Sequence, residues 1–105
     1  LDADETLRDM ARATIRMVSE SVDAYVKRDV DMAEQVIAED DTVDSCFNRF
    51  KSQLIQRIAS GEGDGEATLD LLMIAKYYER IGDHATNIAE WVEFSVTGVH
   101  KTEVT

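Results

Sequence analysis

Apolar and small residues recur at intervals of three and four along nearly the whole chain. Leu7, Met10, Ala11, Thr14, Met17, Val18, Val22 and Tyr25 form the first such series. That rhythm puts them on one stripe of a helix with 3.6 residues per turn. Ala33, Val36, Ile37, Val43, Phe47, Phe50, Leu54 and Ile58 form a second series. Leu71, Ile74, Tyr78, Ile81, Ala85, Ile88, Ala89, Val92 and Val96 form a third, with Ala75 and Gly82 at its edge, where small side chains let a neighbouring helix come close. No segment alternates with the period of a strand. The pattern predicts helices over residues 4–28, 31–60 and 66–97.

The breaks are as clear as the stripes. The chain has no proline, and three of its five glycines fall in Gly61-Glu62-Gly63-Asp64-Gly65. Such a cluster is entropically costly to hold in a helix and marks an exposed loop, the least ordered internal segment expected. The first helix is expected to start near Asp2 to Asp4, since Asp2 and Glu5 have capping-box spacing. Lys27 and Arg28 suit the negative end of that helix. Asp29 or Asp31 then caps the next one. A link this short implies antiparallel neighbours. Gly98 is the expected stop of the third helix, and residues 99–105, including His100, carry no pattern. The expected fold is an all-α, antiparallel three-helix bundle, up-down-up in the manner of a spectrin repeat, about 40 Å long.

Charge narrows the partners. The 105 residues carry 22 acids against 11 bases, a formal net charge of −11. Nucleic-acid binding needs clustered Lys and Arg to displace counterions, so it is disfavoured, as is adsorption to anionic lipid. Basic protein surfaces and divalent cations remain. The single Cys46 excludes an internal disulfide, fits a reducing compartment and reads as a small core residue. No apolar run approaches the ~20 residues that cross a bilayer, and no signal-peptide pattern opens the chain. The chain begins at Leu1 rather than methionine, which is expected of a piece excised from a longer protein.

The acids themselves are patterned. Glu79 and Asp83 are four residues apart, and Asn87 and Glu90 continue the row. On a helix such residues stack on one face. Projection puts this row opposite the apolar stripe, so it reads either as solvated surface or as the floor of a ligand site. Asp40 and Asp44 repeat the four-residue step on the second helix, where both fall on or beside the apolar stripe. A charge there is expensive without a partner. Either the bundle rim lets solvent in, or the two pairs face each other across a cation. Carboxylates are ligands for hard metal ions, which take several oxygens. His84 projects about a quarter-turn from Asp83 and is a candidate supporting hydrogen-bond donor. Tyr77, Trp91 and Phe94 sit off the main stripe. They cover a second helix face or, if exposed together, offer a docking surface.

The run Tyr78-Glu79-Arg80-Ile81-Gly82-Asp83-His84-Ala85-Thr86-Asn87-Ile88-Ala89-Glu90-Trp91 resembles the signature of the PhoU family, regulators attached to high-affinity phosphate uptake in bacteria. Val36-Ile37-Ala38-Glu39-Asp40-Asp41-Thr42-Val43-Asp44 is similar to the family's second-helix pattern. The resemblance implies one three-helix repeat of a protein usually built from two, and it is stronger to the C-terminal repeat. It implies metal ligation by Glu79, Asp83, Asp40 and Asp44, with Asn87, His84 and Glu90 in support. The metal is divalent or multinuclear: iron, manganese, zinc or magnesium. It further implies a non-enzymatic negative regulator of phosphate uptake and of the phosphate-starvation two-component response. The expected partners are the transporter's ATPase subunit and a sensor histidine kinase, with homodimerisation of the full-length form. The expected location is cytoplasmic, peripheral to the inner membrane through those proteins and not inserted in it.

Two other readings stand beside this one. In a metal-free helical adaptor the acids would simply be solvated. A di-iron carboxylate oxidoreductase would want Glu-x-x-His on two helices. Position 82, three beyond Glu79, is glycine, and neither histidine has a glutamate three residues before it. A metal-dependent phosphohydrolase would want more than two histidines, and the His-Asp order such enzymes use is reversed in Asp83-His84.

Overall fold

The structure is a computed structural model that describes residues 3–98. It contains α1 (Ala3–Lys27), α2 (Val30–Ala59) and α3 (Gly65–Thr97), with no strand among the described residues. Each helix packs on both others. The bundle measures 53 × 28 × 20 Å, longer than the expected 40 Å because α3 alone runs 33 residues, or about 50 Å.

The ends are set by local chemistry. Arg28 has a φ of +54° and turns the chain directly into Asp29. The Asp29 carboxylate then accepts from the Met32 N–H at 3.1 Å and caps α2. Asp64 caps α3 in the same way, accepting from the Glu66 N–H. Gly61 and Gly63 occupy left-handed positions in the α2–α3 turn, where a Cβ is disfavoured. Gly98 ends α3 with a φ of +78°. Arg28 also donates to the Ser95 carbonyl at 3.1 Å, which joins the C-terminal ends of α1 and α3. The Asp2 cap and the tail from residue 99 lie outside the described residues.

Phe50, Met10, Met17, Val36 and Val43 fill the centre of the core, while small residues are frequent on the buried faces of α1 and α3 and turn those two stripes away from the expected ones. In α1 the buried face consists of Ala3, Thr6, Met10, Ala13, Thr14, Met17, Ser21 and Ala24. Val18, Val22 and Tyr25, expected inside, are exposed. In α3 the buried positions Thr68, Ala75, Gly82 and Ala89 step by seven, as do Ala85 and Val92. Ile74, Ile81, Ile88 and Val96 are exposed instead, as is Ile58 in α2. Ala75 and Gly82 therefore sit at the centre of the α3 contact rather than at its edge. Three- and four-residue steps through small side chains let the helices approach closely.

This rotation moves the acids. The row of α3 does not lie opposite the core but flanks it. Glu79 sits between the buried Ala75 and Gly82 in helical register, and its side chain is only 17% exposed. In α2 the buried residues run Ala33, Val36, Val43, Phe50 and Leu54. Asp40 fills the core-lining position four beyond Val36 and three before Val43.

Candidate functional site

The acidic pairs of α2 and α3 come together at mid-bundle. The antiparallel register sets Asp44 beside Glu79 and Asp40 beside Asp83. Gly82 makes the approach close. A Cβ added there would lie 3.7 Å from Asp40 Oδ1, 3.7 Å from Val43 Cγ1 and 3.6 Å from Met17 Sδ. All three helices thus meet at one glycine, with a carboxylate at the junction.

The electrostatics record the crowding. Burial, followed by the charge of Asp44 and then of Asp83, Asp41 and Glu79, pushes the Asp40 carboxyl up to about 6. Asp44 is also raised, first by burial and then by the charges of Glu79 and Asp83. A hydrogen bond from the Asp44 carboxyl to Glu79 holds its proton further. Every charge that shifts these two aspartates is negative. Asp40 Oδ1 is buried without a hydrogen-bond partner, a position that disfavours ionisation.

Bases stand at the border of the cluster. Lys76 Nζ donates to Glu79 Oε1 at 2.6 Å and lies 5.2 Å from the Phe47 ring centroid, so it bridges α3 to α2. Arg16 of α1 engages Glu39, with its Nε 3.1 Å from Oε1. Lys76, Gly82 and Asp41 were not singled out from the sequence as part of this site. The three-residue step from Lys76 to Glu79 was the available signal for the first.

The other candidates are less central. Asp83 is exposed, as are Asn87 and His84, and Glu90 is half-buried. His84 lies about 100° round the helix from Asp83, and Glu90 lies two turns beyond Asp83. Glu90 is not among the charges that move Asp40 or Asp44. Cys46 is buried, as expected of a core residue, and the Arg49 guanidinium donates to its Sγ at 3.8 Å. Tyr77 and Trp91 are exposed, and Trp91 meets Phe94 edge to face at 5.5 Å.

The donor chemistry, four carboxylates and a side-chain amide, suits a hard cation. The orphaned Asp40 oxygen and the mutual repulsion give that cation a reason to bind. Among the described residues, however, no three His, Cys, Asp or Glu side chains already converge as ligands of one ion. The carboxylates are gathered, but ligation would require their side chains to turn toward a common point.

A family model described as the PhoU domain matches residues 7–92, a span that takes in all four carboxylates and most of the three helices. The chain belongs to the PhoU domain family. Its similarity to curated proteins runs the same way. It is 34% identical over 97 residues to the phosphate-specific transport system accessory protein PhoU homolog 1 of Thermotoga maritima, covering 92% of this chain and 42% of that protein. The homolog of Zymomonas mobilis is 40% identical over 96 residues, covering 91% of this chain and 40% of that protein. PhoU of Escherichia coli is 31% identical over 93 residues, 89% of this chain and 39% of that protein. This PhoU domain thus spans about two fifths of the length of such relatives. No solved structure matches the chain significantly. No helix among the described residues is long and apolar enough to cross a membrane.

Proposed function

We propose that this PhoU domain is a non-catalytic regulatory module of a phosphate transport system and that its acid cluster binds a hard metal ion. The relatives' names connect them to phosphate-specific transport as accessory proteins. The observation that carries the metal reading is the meeting of Asp40 and Asp44 with Glu79 and Asp83 around a buried, unpartnered carboxylate oxygen. These four residues would hold the ion, with Asn87, Glu90 and His84 next along α3. A divalent or multinuclear centre of iron, manganese, zinc or magnesium would supply positive charge beside Asp40 and Asp44, which are shifted by acidic neighbours alone. It would neutralise the cluster and present a cationic point to phosphate or to an acidic partner group.

The wider role follows the family. The full-length protein would restrain high-affinity phosphate uptake and the phosphate-starvation response through contacts with the transporter's ATPase and a sensor histidine kinase, and would form homodimers. It would act in the cytoplasm, held at the inner membrane by those proteins. The strongly acidic surface favours encounter with a basic partner patch, an attraction that salt weakens.

Thermal melts with and without manganese, iron, zinc or magnesium test the site. Binding to the folded state raises stability by RT ln(1 + [L]/Kd). Glu79→Gln with Asp83→Asn should abolish the metal-induced rise and leave the metal-free domain equally or more stable. A rise of unchanged size in that variant would remove these residues as principal ligands. No metal on elemental analysis after metal-replete growth, together with no thermal shift, would favour the metal-free adaptor.

A further inference from the structure

One lysine closes the acidic interface of α2 and α3. The antiparallel register that sets Asp40 beside Asp83 and Asp44 beside Glu79 next brings Phe47 to Lys76. Lys76 Nζ lies 2.6 Å from Glu79 Oε1 and 5.2 Å from the centroid of the Phe47 ring. The ammonium is thus held between an acid one turn on in its own helix and a ring of the neighbouring helix. Its side chain is 47% exposed, whereas that of Glu79 is 17% exposed. Glu79, turned toward the bundle, has its charge met from the solvent side.

The other bases nearby point elsewhere. Arg80, adjacent to Glu79 in sequence, lies 5.8 Å from the centroid of the Tyr77 ring. Arg16 engages Glu39, and Arg49 donates to Cys46 Sγ. Lys76 itself does not reach the rest of the cluster. The charges that raise Asp40 and Asp44 are all acidic, and Lys76 is not among the groups that shift them.

Magnitudes decide between this ammonium and a dication. A half-exposed pair within one helix is screened by water, and holding the lysine in one rotamer costs entropy. A dication carries twice the charge and meets several acids at once, among them Asp40, whose buried Oδ1 has no hydrogen-bond partner. The same ammonium repels that dication at short range. Glu79 also accepts from the Asp44 carboxyl, so its oxygens are already in use.

We propose, on the reading that this cluster takes a hard cation, that Lys76 is the resident cation of the metal-free domain and competes with the metal for Glu79. It is a positioning residue. It holds Glu79 away from a shared ligand arrangement, sets the concentration at which a dication binds, and is released from Glu79 on binding. This accounts for acids that are gathered although, among the described residues, no three His, Cys, Asp or Glu side chains converge on one point.

The test titrates the 105-residue chain with manganese chloride at fixed ionic strength, counting free manganese by electron paramagnetic resonance. Lys76→Gln should tighten binding by about tenfold and keep the helix content, since the side chain is exposed. Lys76→Arg keeps a cation within reach of Glu79 and should stay within about twofold of wild type. Arg80→Gln removes the same charge from the same helix and should change affinity by less than about threefold. A second readout follows release directly. Manganese should speed acetylation of Lys76 by an N-hydroxysuccinimide ester about threefold or more, read by mass spectrometry, and leave the exposed Lys51 unchanged.

If wild type binds manganese, three results overturn the proposal and spare the metal reading. These are Lys76→Gln binding no more tightly than wild type, Lys76→Arg or Arg80→Gln tightening binding as much as Lys76→Gln, and manganese failing to speed Lys76 acetylation. Binding by Lys76→Gln alone would support the proposal most directly, because the lysine would then be blocking the site. Binding by neither protein would remove the metal reading and this proposal with it.

Discussion

Asp40 holds a position that an apolar residue would fill in an ordinary bundle, and its proton is the variable that decides how well it fits. Its carboxyl is pushed up to about 6 by burial and by the surrounding acids, against about 3.9 in an unfolded chain. The folded state therefore keeps this proton over a pH range in which the unfolded state has lost it. Stability from this group is complete below about pH 4 and falls as pH rises to about 6, where it levels off. Asp44, raised in the same direction, steepens the fall. Since the site is partly open to solvent, the loss should be about 1–2 kcal/mol rather than the full value of the shift. Urea denaturation of Asp40→Asn across pH 4–7 should show a shallower slope and a stability gain of about 1–2 kcal/mol at pH 7. A variant that is less stable than wild type at pH 7, with an unchanged slope, would mean that the carboxylate is already stabilised by a partner.

The helices show which parts of this fold the residues announce and which they conceal. The predicted ends agree with the observed ones to within a residue or two because Asp29, the glycine cluster and Gly98 act locally, through caps and left-handed turns. The buried faces were harder to read. Ile74, Ile81 and Ile88 carry more hydrophobic weight than Ala75, Gly82 and Ala89, one residue further on, yet in α3 it is the small residues that are buried. Hydrophobic periodicity registers side-chain size, whereas close helix approach rewards its absence. The same rotation explains why the α3 acids were expected opposite the core and lie beside it. The pairing of the two acidic steps is legible from their spacing, whereas the part played by Lys76 shows in the sequence only as a three-residue step to Glu79. Gly82 gives a direct test of the packing. An added methyl would meet its neighbours at 3.6–3.7 Å, an ordinary contact distance, and alanine is favoured in helices by about 1 kcal/mol over glycine. Gly82→Ala should thus be neutral or stabilising by up to about 1 kcal/mol, while Gly82→Leu should overpack the junction and cost about 1–3 kcal/mol. Chemical denaturation of both separates these outcomes, and a large loss in the alanine variant would contradict the geometry. At the α1–α2 link, Asp29→Ala removes the cap seen at 3.1 Å and should lower stability by about 1 kcal/mol, readable as a lower melting temperature.

For the molecule as a whole, the net charge of −11 means that any cation stabilises the fold to some degree, so a thermal shift with metal is not by itself evidence of a site. Screening and ligation differ in their concentration dependence. Monovalent salt weakens repulsion among all the exposed acids, an effect that grows gradually as the Debye length shrinks from about 30 Å at 0.01 M to about 10 Å at 0.1 M. A bound ion instead raises stability in proportion to the logarithm of its concentration above Kd. At a fixed ionic strength of about 0.15 M, where most long-range repulsion is already screened, potassium chloride should leave the melting temperature nearly flat. Micromolar to millimolar manganese or iron should still raise it. Asp40→Asn with Asp44→Asn should remove the metal-dependent rise and keep the salt response, because that response belongs to the remaining acids. Glu34→Gln with Glu62→Gln changes the net charge by the same amount at exposed positions and should do the reverse, reducing the salt response while keeping the metal-dependent rise. If both pairs of substitutions reduce the metal effect equally, the cation is responding to total charge, and the cluster between α2 and α3 is not a binding site.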